Sequence, residues 1–106
     1  MNHLIKRFVN DVKNQYKNKI YKIIMFDSYV QVDNRSDSDI DMLIIWKGNR
    51  NKGAEKIENI AFEYLLEEDL YFSIKVLNIQ QYNELKDKGN PFIENIEKEG
   101  ICFENL

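Results

Sequence analysis

Cysteine, proline, histidine and glycine are all scarce in this chain of 106 residues. The one cysteine, Cys102, has nothing in the chain to pair with, so an internal disulfide is excluded and a reducing cytoplasm is the expected setting. Cys102 itself reads as a small buried or half-buried residue rather than a nucleophile. The one histidine, His3, sits beside the terminus, where chains fray, and takes no role. Long apolar runs are missing as well. None approaches the ~18 residues of a membrane span, and the first residues lack the apolar stretch of a secretion signal. There are no repeats and no low-complexity segment. Cationic excess is also absent: the formal net charge of -3 argues against a general nucleic-acid binder, although it leaves room for a local basic patch.

What remains is an ordinary globular balance, 43% hydrophobic and 31% charged. Residues 1–106 are expected to form one domain with a single modest core. Residues 2–18 read as an amphipathic helix, with Leu4, Ile5, Phe8, Val9, Val12 and Tyr16 on one face. Its other face carries Lys6, Arg7, Lys13 and Lys17. A solvated face is the simpler meaning of these cations; contact with a nucleotide tail or an RNA phosphate is the alternative. Residues 19–26 read as a strand, Met42–Trp46 as a second, and residues 70–77 as a third. The polar segment Lys47–Gly53 reads as a connection. A second long helix is expected over residues 54–68 through Ala54, Ile57, Ile60, Ala61, Tyr64 and Leu65. Asn78 with Gln81 has the form of a capping box, and Asn90-Pro91 opens a last helix that Gly100 ends. Residues 101–103 are expected to add a short edge strand.

The chemistry is concentrated between the first two strands. There a polar loop ends in Asp37-Ser38-Asp39-Ile40-Asp41. Side chains two apart on a strand share a face, so Asp39 and Asp41 would stand together. Two adjacent carboxylates repel unless a cation lies between them. A hard divalent ion such as Mg²⁺ suits such a pair, with substrate phosphates completing its shell. A solvated turn leading into a strand is the plain alternative.

Ser28, then the ten residues Tyr29 to Ser38, then Asp39-Ile40-Asp41 resembles the signature of the minimal nucleotidyltransferases of the DNA polymerase β superfamily. The D-S-D-I-D string and the order of helices and strands extend the likeness over nearly the whole chain. The resemblance implies an α/β fold: a small mixed β-sheet of three or four strands, with helices packed mainly on one face. It implies Mg²⁺-dependent transfer of a nucleoside monophosphate, AMP first among them, from a nucleoside triphosphate such as ATP to a hydroxyl. Asp39 and Asp41 would hold the metal, Ser28 the terminal phosphates, and Arg35 is a loop candidate for a phosphate contact. Asp27 stands where the family has its first glycine, and Val32 where a second often stands. The family's third-strand acid has no counterpart within residues 70–77; Asp69 is the nearest substitute. Many small members are antitoxins that adenylylate a HEPN-domain toxin, so such a partner is implied, and a homo-oligomer is compatible with it. A reading from another class stays open: a non-catalytic binding module or antitoxin that keeps the fold.

Overall fold

The computed structural model describes residues 3–26 and 40–103. The elements run α1 (His3–Tyr16), β1 (Ile20–Phe26), β2 (Ile40–Trp46), α2 (Arg50–Glu68), β3 (Phe72–Asn78), α3 (Ile79–Asp87), α4 (Pro91–Glu99) and β4 (Ile101–Cys102). The four strands form one mixed sheet in the order β3-β2-β1-β4. β1 is antiparallel to both β2 and β4, while β2 and β3 are parallel. A parallel pair needs a crossover, and α2 provides it. Among the described residues no helix is long and apolar enough to cross a membrane.

Alternation along β2 divides the interior into two cores. Met42, Ile44 and Trp46 point toward α1 and α2 and join Phe8, Val12, Ile57, Ile60 and Phe72. Leu43 and Ile45 point the other way, toward Tyr82 of α3 and Ile93 and Ile96 of α4. Five successive buried residues, Met42–Trp46, are thus the mark of a strand covered on both faces. The two long helices lie on one face of the sheet, and the two short ones cover the other. Phe8 stacks on Phe72 at 4.0 Å and meets Tyr64 edge-on at 5.5 Å. Burying each such ring contributes about 1.5–3 kcal/mol.

The capping signals are realised. The Asn78 side chain accepts from the Gln81 N–H at 2.8 Å, and the Gln81 side chain accepts in return from the Asn78 N–H at 3.0 Å. Asn90 caps α4, with Pro91 at its first position. Two local readings are corrected. First, α2 begins at Arg50, not after Gly53, because Asn49 caps it by accepting from the Lys52 N–H at 2.9 Å. Gly53 lies inside that helix, where a Cβ would come within 2.5 Å of the Trp46 ring. Gly100 ends α4 as expected, in an extended conformation (φ -79°, ψ 168°), and a Cβ there would meet Ile24 Cγ2 and the Ile96 carbonyl at 2.6 Å. Second, Cys102 is exposed, because two-residue β4 is an edge strand with open flanks.

Candidate active site

The topology brings the end of β1 and the beginnings of β2 and β3 to one margin of the sheet. There Phe26, Asp41 and Ser73 stand in register across three strands. By alternation Asp41 shares the face of Leu43 and Ile45, the side covered by α3 and α4. Ser73 occupies the same face of β3, since its neighbours Phe72 and Ile74 pack toward α1 and α2. Adjacent strands lie ~4.8 Å apart. The Asp41 carboxylate and Ser73 hydroxyl are therefore side by side, each half-buried. Their floor is apolar: Leu43 is 1% exposed, and Phe26 on β1 is buried with Phe92 edge-on against it at 5.6 Å. A carboxylate rooted on such a floor has fewer competing waters than one on an open turn, which favours a strongly charged ligand.

Of the residues singled out from the sequence, Asp27, Ser28, Arg35 and Asp39 lie outside the described residues, as does Val32. Asp41 is on β2 as expected. Asp69 is the left-handed C-cap of α2 (φ 55°, ψ 37°), and its backbone N–H donates to the Leu65 carbonyl at 3.2 Å. Aspartate tolerates that conformation better than most residues. Asp69 is exposed and precedes Phe72 by three residues, roughly 10 Å of extended chain. The register thus sets Ser73, not Asp69, beside Asp41. Spacing within residues 70–77 could not single out Ser73, because pairing register depends on the partner strand.

Among the described residues no three His, Cys, Asp or Glu side chains cluster as a metal cage. Asp41 and Ser73 are nonetheless both hard oxygen donors. Donors of this kind suit a hard divalent cation such as Mg²⁺.

Other charged groups are used structurally. Arg50 donates to the Val76 carbonyl at 2.7 Å, and the Lys56 ammonium lies 5.6 Å from the centre of the Tyr16 ring. Arg7 donates to the Tyr64 hydroxyl at 3.1 Å and pairs with Glu68 at 3.2 Å, and the Tyr64 hydroxyl donates to Asp11 at 2.5 Å. Hydrogen bonding to Tyr64 and Glu68 pushes the Arg7 guanidinium above its ordinary value, and burial pushes the Tyr64 phenol up. This network joins α1 to α2, away from Asp41. Loss of solvation also raises the Glu58 carboxyl on α2.

A strand-borne aspartate at the junction of an antiparallel and a parallel pair agrees with the comparison to known families. Residues 9–104 match the family model described as Polymerase beta, Nucleotidyltransferase. The chain belongs to the polymerase β nucleotidyltransferase family. Two proteins of Methanocaldococcus jannaschii are similar to this nucleotidyltransferase-family chain. MJ0141, named as a candidate protein adenylyltransferase, is 31% identical over 99 residues, spanning 92% of this chain and 93% of its own. MJ0604, named in the same way, is 51% identical over 41 residues, 39% of this chain and 41% of its own. No solved structure matches this chain at the same level of significance. Family membership makes the mixed sheet a nucleotidyltransferase palm and directs attention to the margin that holds Asp41.

Proposed function

We propose that this chain is a nucleotidyltransferase that moves a nucleoside monophosphate, AMP in the first instance, from a nucleoside triphosphate to a hydroxyl of a protein. The observation that supports it best is Asp41, held in register with Ser73 at the margin where a nucleotidyltransferase palm carries its chemistry. The names of both relatives point to protein adenylylation. In this reading the acceptor oxygen attacks the α-phosphorus as the bond to the β-phosphate oxygen breaks. Pyrophosphate leaves, and the acceptor proton passes to solvent. Asp39 and Asp41 hold the cation, which when bound neutralises charge developing on the phosphates. Ser28 holds the terminal phosphates, and Arg35 adds a contact. The protein's main contribution is position.

The acceptor in this reading is a tyrosine of a HEPN-domain partner, which makes the chain an antitoxin. Ser73 favours a second reading. A serine cannot take the acceptor's proton as a carboxylate can, and Asp27 and Val32 replace the loop glycines, so a chain that binds without turnover also fits. Transfer of label from each of the four ribonucleoside triphosphates to a HEPN-domain protein, with Mg²⁺, separates the two. Label that disappears in Asp41→Ala is the expected result. Label only after Asp27→Gly would identify a transferase silenced at its phosphate loop. No label in any form, with the partner still bound, would replace the transferase by the binding module.

A further inference from the structure

Tyr71 is the last residue before β3, and its neighbours fix where it stands. The Ile40 N–H donates to the Tyr71 carbonyl at 3.1 Å, so the pairing of β3 with β2 continues through this residue. Leu70 and Phe72, on either side of it, both pack into the core that faces α1 and α2. Alternation therefore sends the Tyr71 side chain to the opposite face, the one shared by Ser73 and Asp41. Residues two apart on a strand are ~6.7 Å apart, which puts the Tyr71 Cα about 8 Å from that of Asp41 on the diagonal. A tyrosine side chain spans such a gap. The residue is 48% exposed, and among the described residues no side chain pairs with its hydroxyl. The other described tyrosines differ. Tyr64 and Tyr82 are buried, with their hydroxyls engaged by Asp11 and Glu97. Tyr16 rests edge-on against Trp46. Tyr21 is similarly exposed, at 51%, but lies five residues along β1 from Phe26, ~17 Å from the margin that holds Asp41.

We propose that the chain adenylylates its own Tyr71 when no partner supplies an acceptor. The inference rests on the transferase reading above, in which the acceptor is a tyrosine. The Tyr71 hydroxyl oxygen attacks the α-phosphorus of ATP as the bond to the β-phosphate oxygen breaks. Pyrophosphate leaves, and the phenolic proton passes to the water that reaches the half-exposed ring. An in-line displacement requires the acceptor to enter opposite the departing pyrophosphate. In that reading Asp41 on β2 holds the cation, and Ser28, two residues beyond β1 in the chain, holds the terminal phosphates. The side left for the acceptor is then that of β3, the outermost strand, and Tyr71 stands there. An acceptor carried on the same chain also avoids an association step, so its effective concentration is high.

The test is to incubate the purified chain alone with ATP and Mg²⁺, follow its intact mass and map the modified peptide. A mass increase of one adenylyl group is expected, on Tyr71. Tyr71→Phe, which keeps the ring, and Asp41→Ala should each abolish the increase, whereas Tyr21→Phe should keep it. Thermal melts confirm that each variant folds. The fraction modified per unit time should not change on dilution, as for a reaction within one chain. A parallel reaction adds a HEPN-domain protein. Label on that protein, with the chain itself unmodified in both reactions, would overturn the self-modification and leave the transferase reading standing. Label on neither would overturn both. An adenylyl group mapped to Tyr21 or Tyr29, or one that survives in Tyr71→Phe, would also overturn the proposal. So would a rate that falls in proportion to dilution, because the acceptor would then belong to another copy.

Discussion

Ser73→Asp puts a second carboxylate beside Asp41, and its consequence can be worked from the register. The two residues are directly paired across β2 and β3. At ~5 Å and an effective dielectric of 20, two such charges repel by about 3 kcal/mol. Both positions are half-buried, and water at the open margin reduces that figure toward ~1 kcal/mol. For a domain of 106 residues, 1 kcal/mol corresponds to ~4–5 °C in Tm. In a chelating buffer the variant is therefore expected to melt about 5 °C below the parent. Mg²⁺ should reverse the loss: at one hundred times its Kd a bound ion adds about 2.7 kcal/mol. The assay is thermal denaturation followed by circular dichroism, in chelator and then in rising Mg²⁺, with label transfer measured in parallel. Equal melting of parent and variant in chelator, with no separate response to Mg²⁺, would refute the placement of Ser73 beside Asp41. A cation-stabilised variant that also transfers label faster would show that the missing third acid limits turnover.

Two further predictions concern the frame that holds this margin. Gly53→Ala gains about 1 kcal/mol of helix propensity but drives a methyl into the Trp46 ring, which is 3% exposed and has nowhere to move. Overpacking costs ~1–3 kcal/mol, so urea denaturation should show a net loss; a net gain would mean that the ring yields. Tyr64→Phe addresses pH. Burial raises the Tyr64 phenol above its ordinary value of 10.0, so the native state keeps a proton that the unfolded chain releases. The stabilisation is complete below about pH 10 and is lost as pH rises through the folded value. The phenylalanine variant should be less stable at neutral pH by about 1 kcal/mol, yet lose less on going to strongly alkaline pH. Parallel pH profiles for the two proteins would refute the assignment.

Much of this protein is determined locally, and for that reason is legible in its sequence. The face of α1, the caps at Asn78 and Asn90, and the apolar run of β2 depend on neighbours within a few residues. So does the spacing from Ser28 to Asp39-Ile40-Asp41, which carries the family signature by itself. Other features depend on residues far apart in the chain. Gly53 reads as a loop residue until Trp46 is packed on it, and then it is a helix residue that must lack a side chain. Gly100 reads only as a helix end until Ile24 packs over it, and then it too must lack a side chain. Along the chain Asp69 is the nearest substitute for the third-strand acid, and only the pairing of β3 with β2 places Ser73 beside Asp41. A sequence states hydrophobic period and capping chemistry directly, because both act through adjacent turns. Register, close packing and the meeting of distant side chains arise from the whole sheet, and only tertiary structure decides them.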